Sequence, residues 1–141
     1  MSRPLSLEQF VKPPEGWRTL DLAAWDRLLR QARREEVLPR LAVLVAASGI
    51  LESLPAKVQE HLTAAQVVAG KHAAMMRWEL NCIARALADL NVPVVLLKGA
   101  AYLAAGLPPS RGRTSSDVDL LVSKTELAQA EAALVEHGWR S

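Results

Sequence analysis

The 141-residue chain has a single cysteine, Cys82. One thiol excludes an internal disulfide and a cysteine-based zinc site, and its place in a helical pattern predicts a buried, inert side chain. Aromatic residues are scarce as well, at 4% against 50% hydrophobic residues in all. Leucine, valine and alanine must therefore build the core, and such a composition favours helices and excludes a disordered chain. Strong charge of either sign is missing. The net charge is +2, and the basic residues are dispersed apart from a cluster at Arg27, Arg30, Arg33 and Arg34, so nucleic acid is not indicated. The opening MSRPLSLEQF has no apolar core of signal-peptide type. The longest nearly apolar run, LAVLVAASGIL, is far short of a bilayer span. These absences predict a soluble, cytoplasmic protein with no membrane partner, forming one domain or part of one.

What is present changes character near Asn91. Residues 1–91 form a helical N-terminal portion and residues 92–141 a mixed one, which predicts an α+β fold. The opening dozen residues carry no clear pattern, and KPPEG is a break. LDLAAWDRLLRQARREE then reads as a helix capped by Asp21, with Leu22, Trp25, Leu28 and Leu29 on one apolar face. Pro39 should interrupt it, and LPRLAVLVAASG should form a second helix stopped by Gly49. The longest element is expected from Ala56 to Leu90. Val58, Leu62, Ala65, Ala69, His72, Met76, Leu80, Ile83, Leu87 and Leu90 recur there in steps of three or four, as one buried stripe. Gly70 is the point where that helix would bend or break. His72 is expected to be a hydrogen-bonded core histidine, and neither His61 nor His137 has neighbours at zinc-ligand spacing.

Beyond LNVP, the run VPVVLL is short, rich in β-branched residues and bounded by Pro and Lys-Gly, as a buried strand would be. GAAYLAAG is helix-forming and closed by Gly106, LPPSRGRTSS is a loop, and DVDLLV is a second strand. SKTELAQAEAALVEHG is a further helix, opened by a capping box at Ser123 and Glu126, and Trp139 would begin a third strand. Residues two apart on a strand share a face, so Asp117 and Asp119 project together while Val118, Leu120 and Val122 face the core. Like charges side by side repel and need a compensating cation. Mg²⁺ is the natural one, because it accepts one or two carboxylates and completes its shell with phosphates and water. Ions about 3.5–4 Å apart can also share such carboxylates. Upstream, the strand–Lys98-Gly99–helix junction would let backbone N–H groups approach a phosphate, and Lys98 adds a mobile positive charge. It is not a P-loop, which needs a longer glycine-rich run. Arg111 and Arg113 precede the aspartates. A guanidinium suits bidentate contact with phosphate, and Arg113 is the one expected to make it.

LLKGAAYLA, a loop containing arginine, and SSDVDLLV together resemble the uncharacterised bacterial nucleotidyltransferase-like family within the DNA polymerase β-type superfamily. In that pattern Leu-Lys-Gly-Ala-Ala is followed by an arginine four residues before Asp-h-Asp-h-Leu-Val, where h is apolar; Arg113 and Asp117 have that spacing. The resemblance covers roughly Trp25 to Trp139, and its specific part is Leu96–Val122. It implies a mixed sheet flanked by helices and transfer of a nucleoside monophosphate from an NTP, expected to be ATP, to an unknown acceptor. Asp117 and Asp119 would be the catalytic, Mg²⁺-holding pair, and Lys98, Gly99, Arg113 and Ser116 the nucleotide-binding set. Superfamily enzymes use a third carboxylate on a later strand. Glu126, Glu131 and Glu136 fall on a helix and do not match it, so the chain is expected to be the N-terminal piece of a longer protein, or a weak or inactive enzyme alone. The alternative reading is an inactive interaction module on this fold, such as an antitoxin-like partner protein, with an unpaired sheet edge that a second copy could cover.

Overall fold

The computed structural model describes residues 15–140; the opening segment and residues 12–14 of the expected break lie outside the described residues. Contacts divide the chain into two compact units. One runs through Gly70 and includes Arg111–Thr114; the other takes Lys71–Ser110 and the chain from Ser115 onward.

The first unit is helical: α1 (Glu15–Arg18), α2 (Leu22–Arg34), α3 (Leu38–Ala47), a 3₁₀ turn at Leu51–Ser53 and the first half of α4 (Ala56–Leu87). Asp21 caps α2 as expected, its carboxylate accepting from the Ala24 N–H at 2.7 Å. The end of α2 comes before Pro39. The Val37 N–H donates to the Ala32 carbonyl at 2.8 Å and the Glu36 N–H to that of Arg33 at 3.1 Å, with Glu36 left-handed at φ 58°. This is a Schellman cap with glutamate where glycine is usual. Pro39 lies in the first turn of α3, where its missing N–H leaves no bond unmade. It opens a helix rather than interrupting one. Trp25, Leu28 and Leu29 are buried, but Leu22, expected on the same face, is exposed, because the first helical turn lies beyond the packed surface. Two tryptophans, Trp17 and Trp25, join the leucines of this core, so it is not wholly aliphatic. Trp25 is fully buried, and its Nε1–H has no hydrogen-bond partner among the described residues.

The stripe on α4 is largely as expected. Val58, Leu62, Ala65, Ala69, Met76, Ile83 and Leu87 are buried, whereas His72, Leu80 and Leu90 are only half-buried. The helix passes through Gly70 without a break, since one glycine costs only about 1 kcal/mol in a helix whose flanking turns are packed. Cys82 is half-buried rather than enclosed, with the Arg85 guanidinium donating toward its Sγ at 3.6 Å.

The second unit continues from α4 through a 3₁₀ turn at Ala88–Leu90 to β1 (Val95–Leu97), α5 (Lys98–Ala104), a 3₁₀ turn at Pro108–Ser110, β2 (Asp119–Leu121) and α6 (Leu127–Glu136). β1 and β2 are antiparallel, pairing Val95 with Leu121, Leu96 with Leu120 and Leu97 with Asp119. Both strands are shorter than their hydrophobic runs, because a run becomes strand only where a partner completes the ladder. β1 is not a buried strand: Val95 and its partner Leu121 are both exposed. Val118, Leu120 and Val122 do face inward, onto Ile83, Leu87 and Ala130. α5 ends at Gly106 (φ 65°) and α6 at Gly138 (φ 104°), both with the bond pattern of a Schellman cap. The capping box at the start of α6 is not formed. The Ser123 hydroxyl donates to the Glu126 carboxylate, and residues 124–126 make a turn before the helix begins at Leu127. Trp139 packs onto the same cluster as α6 and is not in a strand. The fold is α+β, dominated by helix. Among the described residues no helix is long and apolar enough to cross a membrane.

Candidate active site

The expected residues of the second unit gather at the open end of the β1–β2 pair. Asp119 is the first residue of β2 and pairs with Leu97, the last residue of β1. Lys98 follows directly. Its backbone is left-handed, φ 52°, which turns the chain out of β1 and into α5. The reach from this turn to the adjacent strand is short, and Lys98 Nζ lies 3.0 Å from Asp119 Oδ2. Both side chains are substantially solvated, at 71% and 42% exposed, so the pair contributes at most about 1 kcal/mol to stability.

Asp117 precedes the strand rather than belonging to it. It is exposed, and the neighbouring Ser116 hydroxyl donates to its Oδ1 at 3.3 Å. Between the two aspartates, Val118 packs onto both apolar clusters of this unit, one containing Met76, Ala100 and Leu103 and the other Ile83, Leu87 and Ala130. With Val118 packed inward between them, Asp117 is exposed and Asp119 partly so. Gly99 and Ala100 are buried, so the first turn of α5 is pressed into the unit while the lysine before it projects outward.

Arg113 belongs to the first unit, in the segment Arg111–Thr114. That segment is docked by two features. The Arg40 guanidinium donates to the Arg111 carbonyl at 2.9 Å. Gly112 (φ 73°) sits so close to α3 that a Cβ there would lie 2.6 Å from the Pro39 carbonyl oxygen. Lys98, Ser116, Asp117 and Asp119 are thus brought together in one unit, and Arg113 is held in the other.

The Lys98–Asp119 pair is the part of the site that residue spacing did not reveal. The signal was in the sequence: a lysine ending one strand and an aspartate opening the next become neighbours when the two strands run antiparallel. Two carboxylates with hard oxygen donors suit Mg²⁺, which needs only one or two from the protein. Among the described residues no three His, Cys, Asp or Glu side chains converge as a metal cluster. His61 meets the Arg33 guanidinium, its Nδ1 2.9 Å from Nη2. Grooves elsewhere on the second unit do not include the aspartates. One of about 640 Å³ is lined by Leu80, Ile83, Leu87, Pro93, Val94 and Leu96 among others, and another of about 610 Å³ includes Trp78, Cys82, Arg85, His137 and Trp139.

No curated protein and no solved structure matches the chain. One family, described as uncharacterised nucleotidyltransferase, matches residues 21–141. That span contains both units' described helices from α2 onward, the Lys98–Gly99 turn and the two aspartates. The chain belongs to the uncharacterised nucleotidyltransferase family.

Proposed function

We propose that the protein is a Mg²⁺-dependent nucleotidyltransferase of the DNA polymerase β type, transferring a nucleoside monophosphate from an NTP, ATP first among them, to an unknown acceptor. The observation that carries this reading is the placement of Asp117 and Asp119 on either side of the anchored Val118, at the mouth of a strand pair whose other strand ends in Lys98. Asp117 and Asp119 would hold Mg²⁺, which when bound neutralises charge on the triphosphate and orients it. Lys98, whose side chain is mostly in solvent, supplies a mobile ammonium for phosphate oxygens. Ser116 fixes the Asp117 carboxylate by its hydroxyl bond, so the two carboxylates meet an incoming cation in different environments.

Calorimetric titration of ATP into the purified chain, with Mg²⁺ and with EDTA, tests this. Binding should require the metal and should vanish in the Asp117→Asn/Asp119→Asn variant. Wild-type affinity in that variant, or equal binding in EDTA, would remove the site.

A second reading, a non-catalytic module that binds a protein partner or another copy of itself, is favoured by one observation. Val67, Val68, Met75 and Trp78 of α4 are all exposed, an apolar display larger than a solvated helix face needs. A stable stoichiometric complex, together with no NTP binding at any Mg²⁺ concentration, would favour this reading over the first.

A further inference from the structure

We propose that Lys98 is a built-in counter-ion that a divalent cation must displace from Asp119, and that the displaced ammonium then engages the triphosphate, so that metal and nucleotide bind as a coupled pair. The inference rests on the nucleotidyltransferase reading above and adds an order of events to it.

Three observations carry it. First, Lys98 Nζ already sits 3.0 Å from Asp119 Oδ2. A Mg²⁺–oxygen bond of about 2.0–2.1 Å to that carboxylate would bring two cations within a few ångströms of one another, where they repel. The two cations therefore compete for this carboxylate. Second, one charge of the acidic pair is compensated by the chain itself. Asp119 has the ammonium, while Asp117 keeps its charge and accepts only from the neutral Ser116 hydroxyl, so the repulsion that calls for a cation is reduced, through Asp119, before any metal arrives.

Third, the lysine is kept in a conformation that disfavours it. At φ 52° a residue with a side chain is strained where glycine is not. Among the described residues glycine fills four of the seven positive-φ positions, Gly49, Gly106, Gly112 and Gly138, and Glu36 and Asn91, both beside helix ends, fill two more. Here a glycine is available one residue on, at Gly99, yet the left-handed position carries lysine. The backbone anchor is held between the β1 register and the buried first turn of α5, while the side chain is 71% exposed. A fixed base with a solvated tip is what a group needs in order to move from one anion to another without moving the chain.

The ordinary reading of such a pair, a surface salt bridge that only adds stability, makes a different prediction. Losing it would leave metal affinity unaltered or lower it along with the fold. Displacement instead predicts opposite signs at the two ligands. Lys98→Met keeps the length of the side chain and removes its charge. In the absence of nucleotide, Mn²⁺ affinity, followed by electron paramagnetic resonance as a visible stand-in for Mg²⁺, should rise about two- to fivefold, the range set by an exposed ion pair. ATP affinity at saturating Mg²⁺ should fall about fivefold or more. Lys98→Arg should return Mn²⁺ affinity to near the wild-type level. Lys124→Met, which removes the same charge from the turn after β2, should leave Mn²⁺ affinity unchanged, separating displacement from a general field effect.

Equal Mn²⁺ affinity in wild type and Lys98→Met, an equal rise in Lys124→Met, or a joint fall of both affinities in a Lys98→Met protein with wild-type circular dichroism would overturn the inference and leave the nucleotidyltransferase site standing. No Mn²⁺ binding in either wild type or Lys98→Met would overturn both.

Discussion

At the scale of the residue, what a side chain does here follows from where the backbone holds it. Gly112 shows this most simply. Its φ of 73° and the 2.6 Å approach of a would-be Cβ to the Pro39 carbonyl oxygen, with Arg40 backbone atoms at 2.8 and 2.9 Å, leave no room for any other residue. Gly112→Ala should destabilise the protein by about 2 kcal/mol or more, read as a lower urea midpoint with unchanged m-value. A shift under half that size would show that the 111–114 segment yields. Glycine content alone marked this segment as loop, which it is, but nothing in the sequence said that the loop docks on the first turn of α3. The aspartates were legible as a pair because a two-residue spacing needs only local geometry. The partner of Asp119 was not, because Lys98 reaches it across a strand pairing twenty-one residues away in sequence.

At the scale of the element, the helices owe their limits to capping groups, of which the sequence advertises some and conceals others. Asp21 is advertised, and Asp21→Ala should cost about 1 kcal/mol through loss of the 2.7 Å bond to Ala24. Glu36 is concealed, since nothing about a glutamate announces a left-handed Schellman position. Glu36→Gly should stabilise the protein by up to about 1 kcal/mol, the relief at φ 58° being partly offset by the greater freedom of glycine in the unfolded chain. Thermal melts of the two variants should therefore move in opposite directions. If both fall, the α2 terminus is held by something other than its cap geometry. The same distinction explains the misplaced start of α6. A serine and a glutamate three apart satisfy the capping-box pattern, but the Ser123 hydroxyl bonds the Glu126 side chain, and the helix begins one residue past it. The strands shortened for a related reason: periodicity identifies apolar faces, while the length of a ladder depends on its partner.

At the scale of the whole molecule, the chain forms two compact units, each with apolar packing of its own. The carboxylates belong to the second. If they hold Mg²⁺ with ATP, saturating ligand must stabilise the native state by mass action, by about 2.7 kcal/mol at a hundred times the dissociation constant. Melting should shift upward by several degrees for wild type and for Gly112→Ala alike, and by nothing for Asp117→Asn/Asp119→Asn. A shift that persists in the double variant would place the ligand elsewhere. By itself the sequence determined the α+β class, the two main helices of the first unit, the 32-residue α4, the D-x-D pair and the family, because periodicity, caps and short motifs are properties of neighbours along the chain. Tertiary structure alone decided which hydrophobic runs became strand, that Trp25 and Trp17 enter a core otherwise built of aliphatic residues, that Arg113 falls in the first unit and the carboxylates in the second, and that Lys98 closes on Asp119. Each of these depends on a group distant in sequence, and contacts of that kind are set by packing and register, which no local pattern encodes.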